Sequence, residues 1–130
     1  MSKGTALITG GAVRLGKVFC TTLASAGYKL AIHYNSSSEQ AAATAKEFRE
    51  MGVNCEIFQF DFSEKNNVSD LIKKVRKQFP DLNVLINSAS VYDQATMMET
   101  PASLLEKQFK VNFQAPYLLT QAFAQQCKSG

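Results

Sequence analysis

The stretch TALITGGAVRLG, residues 5–16, predicts the beginning of an α/β fold. Its first five residues are a short apolar run that stops at Gly10 and Gly11, as a buried strand does. From Arg14 onward, apolar residues recur at helical spacing until Gly27 ends the helix. A turn between a strand and a helix directs backbone N–H groups at whatever lies over the helix N-terminus. The stretch therefore favours an anionic ligand, although a turn that needs glycine for geometry alone remains the alternative.

The rest of the chain continues this alternation of strands and helices. Apolar runs predict strands at 29–34, 54–60 and 83–87. Periodic patterns predict helices at 36–51, at 68–79 and from Pro101 to about Lys128, closed by Gly130. Helices that alternate with buried strands indicate an α/β fold with a Rossmann-like, doubly wound parallel sheet, of which this chain holds strands 1–4 only.

Composition narrows the class of protein. The chain has 130 residues, 45% apolar and 19% charged, which is ordinary for one globular domain. No apolar run approaches the roughly 18 residues of a membrane span, and the first residues lack a signal-peptide pattern, so we expect a cytoplasmic protein. Three scattered cysteines without a Cys-x-x-Cys pair predict neither a disulfide framework nor a metal site. A net charge of +3 is too small to indicate nucleic-acid binding, but no carboxylate precedes Glu39, which suits an anionic ligand.

The turn and the next strand end predict which dinucleotide binds. Gly10 permits a tight turn and Gly16 a close helix–sheet contact, with Arg14 and Leu15 between them, but the strict Gly-x-Gly-x-x-Gly pattern is absent. An NAD-specific fold would have an acidic residue about twenty positions further on, where this chain has none. Arginine, serine and asparagine instead bind a 2′-phosphate, so we expect NADP(H). The predicted binding residues there are His33, Tyr34, Asn35, Ser36 and Ser37; a purely structural His33 stays open.

Two more strand ends contribute candidate residues on the ligand side of the sheet. Asp61, followed by Phe62, can accept a hydrogen bond from the adenine amine; an Asx turn or helix cap is the alternative. Small residues after the fourth strand let a ligand lie against the backbone, and Tyr92 can stack on a flat ring or simply cover the core. The small set comprises Asn87, Ser88, Ala89 and Ser90.

The last predicted helix places a polar residue on an apolar stripe. Asn112 shares this inward face, where its amide must find partners. Pro116 has no N–H, so it also leaves the carbonyl of Asn112 unbonded. Both groups can serve a polar centre, or Asn112 can be a structural residue at a proline kink. The stripe comprises Leu105, Phe109, Asn112, Pro116, Leu119 and Phe123.

These motifs, in this order, resemble the N-terminal half of the short-chain dehydrogenases/reductases. The resemblance runs from about residue 5 to 125 and includes the turn, Asp61, the Asn87–Ser90 segment, and Val111-Asn112 followed by Ala115-Pro116. Within the family, the chain is most similar to the pteridine reductases, including dihydromonapterin (dihydrofolate) reductases.

Three details carry the similarity to this subgroup, and two depart from it. Arg14 replaces the family's middle glycine, His33-Tyr34 ends the second strand, and Ser90 and Tyr92 match the serine and aromatic residue used against the pterin. Ser88 replaces the usual second Asn of Asn-Asn-Ala. Ser36 stands where some members have a phosphate-binding arginine, which leaves more of that task to Arg14.

The resemblance implies an NADPH-dependent reductase of a C=N bond in a pterin or folate ring. It implies that Asn112 is catalytic, holding a water in the proton relay, that Ser90 and Tyr92 bind substrate, and that the protein forms homodimers or homotetramers. The family's Tyr-x-x-x-Lys pair and fifth strand are absent: no tyrosine in the chain has a lysine four residues later. An unpaired fourth strand would leave a bare sheet edge, which native proteins avoid. We therefore expect residues 1–130 to be the N-terminal part of one NADP-binding domain, completed by a C-terminal half.

Three alternatives remain open. The first is a carbonyl reductase of the β-ketoacyl type in the same family. The second is a half-fold that binds NADP without catalysis, favoured by the missing Tyr-x-x-x-Lys pair. The third is an interaction protein whose exposed sheet edge recruits a partner strand.

Overall fold

All four predicted strands form one parallel sheet in the computed structural model, which describes residues 2–64 and 67–127. The sheet order is β3-β2-β1-β4. The strands are β1 Thr5–Ile8, β2 Lys29–Tyr34, β3 Cys55–Gln59 and β4 Leu82–Ile86. The helices are α1 Arg14–Ser25, α2 Ser38–Glu50, α3 Ser69–Gln78, α4 Ala102–Phe109 and α5 Ala115–Gln126. The predicted Rossmann-like α/β class is therefore confirmed, with boundaries within about two residues for the strands.

Strand β1 lies at the centre of the sheet and is buried along its whole length. Successive side chains of a strand point to opposite faces, so Ile8 packs with α1 and α2 whereas Leu7 packs with α3 and α5. The register pairs Ile8 with Ile32 on β2 and with Ile86 on β4. The sheet therefore has an apolar core on each of its two faces.

Strand β4 pairs with β1 on one side. Within the part of the chain that the structure describes, no strand pairs with its other side, so that edge of the sheet is open. Leu85 and Ile86 near this edge are only partly buried. Helix α3 ends at Gln78, and a short connection leads directly into β4.

The predicted continuous last helix is wrong. A five-residue π-helical segment, Lys110–Gln114, separates α4 from α5, and the amide of Ala115 donates to the carbonyl of Lys110, five residues back. Pro116 cannot donate the hydrogen bond that would close a regular turn on Asn112. The wider turn accommodates this loss. The predicted end of the helix, at Lys128 and Gly130, lies outside the described residues.

The π-helical segment also changes which face of this helix is buried. One extra residue in the turn rotates the preceding helix, so the buried positions are Val111, Ala115 and Leu119. Leu105 and Phe109, which the predicted stripe placed inward, are 66% and 56% exposed. The predicted stripe is therefore correct after the segment, where Leu119 is buried, and wrong before it.

Gly16 sits where helix α1 crosses the turn that follows β1. A Cβ atom at this position would overlap the carbonyl oxygen of Gly10 and approach the Cα of Gly11 to 2.9 Å. Both of those atoms belong to backbone that cannot rotate away. The close packing of helix on turn therefore requires glycine here.

Replacing Gly16 with alanine should destabilise the protein by about 1–3 kcal/mol, because the added methyl group overpacks this contact. The ordinary expectation for glycine-to-alanine in a helix is the opposite, a gain of about 1 kcal/mol. Urea unfolding followed by circular dichroism measures the difference.

Thr21→Ala on the exposed side of α1 is the matched control and should change stability by less than about 0.5 kcal/mol. A Gly16→Ala protein at least as stable as the wild type would contradict the contact.

Candidate functional site

A cleft of about 620 Å³ opens at the carboxyl ends of the strands. It lies where the winding of the chain reverses, between β1 and β4, which is the usual ligand position in such sheets. Most of the predicted cofactor residues line it: Gly10, Arg14, Leu15, Gly16, His33, Tyr34, Asn35, Ser36, Ser37, Asp61, Phe62, Ser88, Ala89 and Ser90.

The floor of the cleft is a junction between the ends of β1 and β4. The hydroxyl of Thr9 accepts hydrogen bonds from the amides of Ser88 and Ala89, both at 3.0 Å. Gly10 follows in the left-handed region, at φ +62°, and a Cβ there would lie 2.9 Å from the Cα of Ala89. Because Gly10 has no side chain, its backbone can approach that of Ala89 closely, and no side chain from this position enters the cleft.

His33 lies at the end of β2 and is 2% exposed. Its Nδ1 accepts a hydrogen bond from the Gly10 amide at 3.0 Å, and its Nε2 lies 2.7 Å from the carbonyl oxygen of Phe60. A carbonyl can only accept, so Nε2 carries the proton and the ring is the neutral Nε2–H tautomer. His33 is thus bonded to protein on both ring nitrogens.

The surroundings of His33 keep it uncharged. Burial lowers its pKa to about 4, although the hydrogen bond to Phe60 and the charge of Asp61 oppose the change. The ring also stacks on Phe62, with centroids 4.4 Å apart. At neutral pH the histidine contributes no positive charge to the cleft.

Arg14 places a positive charge at the turn after β1 and adopts an unusual backbone conformation. It is the only non-glycine residue with a positive φ, +53°, among those the structure describes. This left-handed region costs an L-residue about 1–2 kcal/mol. Arg14 begins α1, whose first backbone hydrogen bond runs from Lys17 to Val13. The amides of Arg14, Leu15 and Gly16 are therefore the unpaired donors of the helix N-terminus, and all three residues line the cleft.

The far end of the cleft contains polar groups but no carboxylate. Tyr34 and Asn35–Ser37 follow β2, and Gln59 donates from Nε2 to the carbonyl oxygen of Asn35 at 3.1 Å, which ties this segment to β3. The charged residues in the cleft lining are Arg14, Lys107 and Asp61. Lys107 is paired with the Asp93 carboxylate at 3.3 Å, so Arg14 is the cation of the lining that has no carboxylate partner among the described residues. Its position at the turn favours an anionic ligand there.

Asp61 forms the Asx turn that was the alternative to the adenine contact, and it also lines the cleft. Its Oδ1 accepts hydrogen bonds from the amide and the hydroxyl of Ser63, at 2.8 and 2.6 Å. That turn uses only one carboxylate oxygen. The same side chain can therefore hold the turn and present Oδ2 to a ligand.

Three predicted site residues lie outside this cleft lining. Asn87 donates from Nδ2 to the hydroxyl of Thr120 on α5, at 3.1 Å. Tyr92 is 80% exposed and lines a separate shallow depression between the segment after β4 and α4. Asn112 is exposed, contrary to its predicted inward position, because the π-helical segment puts Val111 on the buried face instead.

Asn112 forms a two-way bridge to the backbone of Val91. Its Oδ1 accepts from the Val91 amide and its Nδ2 donates to the Val91 carbonyl, both at 2.8 Å. Two residues later Asp93 is held by Lys107 and by Gln108, at 3.3 and 3.1 Å. The segment that follows β4 is therefore fastened to the helix over the cleft.

The sequence predictions missed seven residues of the cleft lining. Val111 and Lys107 were missed because the predicted stripe assumed an uninterrupted helix. Gln40 lies one turn after the predicted serines, and its helical spacing from them was a usable signal. The full set comprises Ala12, Val13, Gln40, Ser63, Val91, Lys107 and Val111.

The cysteines are not arranged for chemistry. Burial raises the pKa of Cys20 to about 12 and that of Cys55 to about 11, so both are protonated thiols at neutral pH. Cys127 is exposed, and none of the three is in a disulfide. Residues 2–64 and 67–127 contain no group of three or more potential metal ligands, and no helix among them has the length and apolar character to cross a membrane.

Comparison with known proteins agrees with this geometry. The sequence pattern of the short chain dehydrogenase family matches residues 4–130. The chain belongs to this family. A short-chain dehydrogenase from Burkholderia cenocepacia, solved in complex with NADP, superimposes with a TM-score of 0.90 at 26% identity, over 95% of this chain and 51% of that one.

Two further relatives differ in the activity that their names give. FolM alternative dihydrofolate reductase 1 from Brucella canis, solved with NADP, has a TM-score of 0.88 at 28% identity, over 98% of this chain and 51% of its own. The 3-oxoacyl-[acyl-carrier-protein] reductase FabG of Staphylococcus aureus is 34% identical over 87 residues, 67% of this chain and 35% of that protein. The chain spans about half the length of these family members or less.

The buried His33 predicts how stability depends on pH. The unfolded chain binds a proton at an ordinary pKa of 6.5, whereas the folded protein does so only near pH 4. Lowering the pH through this window therefore favours unfolding, and the stability contributed by the neutral ring falls by up to about 3 kcal/mol. Urea unfolding at pH 7 and at pH 4.5 measures the loss.

His33→Asn removes the only histidine of the chain and serves as the control. Its unfolding free energy should fall less over the same interval, since the carboxylates are common to both proteins. Equal losses in the two proteins would show that His33 does not titrate as its environment dictates.

Proposed function

We propose that this chain is the cofactor-binding part of an NADP(H)-dependent reductase. The observation that carries the proposal is the charge arrangement of the cleft. A strained arginine, Arg14, stands at the phosphate turn, and the segment after β2 has amide and hydroxyl groups where an NAD-specific site would have a carboxylate. The NADP in the solved structures of two relatives supports the same cofactor.

The residues of the cleft fit the parts of such a cofactor. Amides at the start of α1 suit the diphosphate, and Arg14 with Ser36 and Ser37 suits the 2′-phosphate. Asp61 suits the adenine amine. When bound, the cofactor would supply the hydride. The contribution of this chain is to hold and orient it.

For the substrate, we propose a pterin or folate ring whose C=N bond is reduced. The similarity to FolM supports this choice, as does the position of Ser90 in the cleft lining. Tyr92 is available at the surface to stack on a flat ring. Addition of one hydride from NADPH and one proton from the protein to the C=N bond balances the reaction.

A carbonyl reductase of the β-ketoacyl type is the second candidate. The identity to FabG over 87 residues favours it. In either reaction the proton donor would lie outside this chain, because none of its tyrosines begins a Tyr-x-x-x-Lys pair. We propose that the C-terminal half of the same domain supplies that pair, so that residues 1–130 are the N-terminal part.

Homo-oligomers and a cytoplasmic location are part of the same proposal. Four large apolar residues are exposed along α4, the π-helical segment and α5, which supports contact with a second copy. They are Leu105, Phe109, Phe113 and Tyr117. Three unpaired cysteines suit a reducing compartment.

Replacing Arg14 with glycine tests the cofactor. Loss of a charge-assisted hydrogen bond to the 2′-phosphate should weaken NADP⁺ binding at least about tenfold, and NAD⁺ binding should change by less than about threefold. Glycine also relieves the left-handed backbone, so stability should rise by about 1 kcal/mol. Calorimetric titrations of the full-length wild-type protein and its Arg14→Gly variant with NADP⁺ and with NAD⁺ compare the affinities.

Arg76→Ala is the control, since Arg76 lies on α3 and outside the cleft lining. Equal weakening of NADP⁺ and NAD⁺ by Arg14→Gly would contradict the role in phosphate recognition. Absence of NADP⁺ binding to the wild type would overturn the proposed function itself.

The substrate is tested by NADPH oxidation with dihydropterin, dihydrofolate and an acetoacetyl thioester. We expect the first two to be reduced faster, and Tyr92→Leu to raise the KM for them about fivefold through the lost ring stack. Tyr92→Phe, which keeps the aromatic ring at the same position, is the control.

Faster reduction of the thioester would favour the second candidate. Binding of NADPH without oxidation in the presence of any of the three would favour a non-catalytic NADP-binding protein.

A further inference from the structure

His33 accepts hydrogen bonds from the amides of both glycines, Gly10 and Gly11, in the turn after β1. The Gly10 amide donates to its ring Nδ1 at 3.0 Å, and the Gly11 amide donates to its backbone carbonyl at 3.2 Å. They come directly after the Thr9 amide, which donates to the carbonyl of Ile86 at 3.0 Å. A ligand phosphate is therefore left with the donors further along the turn, from Ala12 to the start of α1.

The ring of His33 is held in the orientation that lets its Nδ1 accept the hydrogen bond from Gly10. Its Nε2 is fixed by the Phe60 carbonyl at 2.7 Å, and its face packs on Phe62. Phe60 and Phe62 follow β3, whereas Gly10 follows β1. The imidazole thus joins the ends of three neighbouring strands, and the Nε2 contact determines that Nδ1 is the acceptor.

We propose that His33 is a positioning residue for the cofactor rather than a ligand of it. By occupying the Gly10 and Gly11 amides, it sets the path of the turn and directs the phosphate to the amides of Arg14, Leu15 and Gly16. This inference rests on the proposed NADP(H) function of the cleft. It assigns no contact between the imidazole and the nucleotide.

Two substitutions separate this role from a general effect on stability. His33→Asn keeps an acceptor near the position of Nδ1 and loses the group at Nε2. His33→Gln keeps a polar group near the position of Nε2 and loses the acceptor for Gly10. Each variant loses the stack on Phe62 and one of the two ring hydrogen bonds, so we expect similar losses of stability.

The experiment measures NADP⁺ affinity by calorimetry and exchange of the Gly10 amide by NMR, at pH 7.5, for the wild type and both variants. We expect His33→Gln to bind NADP⁺ about two- to tenfold more weakly than His33→Asn, the effect of one lost hydrogen bond. Gly10 exchange should be at least about tenfold faster in His33→Gln as well. The wild-type imidazole should give the nitrogen shifts of the Nε2–H tautomer.

The outcomes distinguish the inference from the function on which it rests. Wild-type protein that binds NADP⁺, with variants whose affinities are equal or simply follow their unfolding free energies, would overturn the role of His33 alone. Wild-type protein without NADP⁺ affinity would overturn the proposed function, and the inference with it.

Discussion

Gly10 is the residue on which the cleft depends, because it follows β1 and meets residues of β2, α1 and the segment after β4. Its N–H is bonded to His33 of β2, its Cα lies against Ala89 beyond β4, and its carbonyl oxygen lies against Gly16 of α1. The contacts with Ala89 and Gly16 leave no room for an added side chain, and the N–H of Gly10 requires a hydrogen-bond acceptor. A change at any of them would move the others, because interiors packed at this density have little free volume to absorb a shift.

The alternation of parallel strands with helices and the general position of the cleft could be predicted from sequence because they follow from local patterns. Short apolar runs between helices indicate a parallel sheet, and the carboxyl ends of its strands form the ligand side. The partners of His33 could not be predicted in this way. Gly10 and Phe60 are 23 and 27 residues distant in the chain, and only the folded sheet brings them to one ring.

The last helix shows a different limit. Periodicity analysis assumes a constant number of residues per turn, and one additional residue in Lys110–Gln114 shifts the buried face from Asn112 to Val111. Pro116 was visible in the sequence but indicated only a lost hydrogen bond, not how the helix would compensate. Asn87 lies outside the cleft lining for a related reason. Neighbouring residues at a strand end point in opposite directions, and its side chain meets Thr120 on α5.

The backbone conformation of Arg14 has a consequence for how the charge at this turn can change. Every arginine codon differs from a glycine codon by one base, and glycine is the residue that the left-handed conformation at this position favours. A single point mutation can therefore replace Arg14 with glycine without a change in backbone conformation, and the reverse mutation can restore the arginine. The positive charge at this turn is thus genetically separable from the fold.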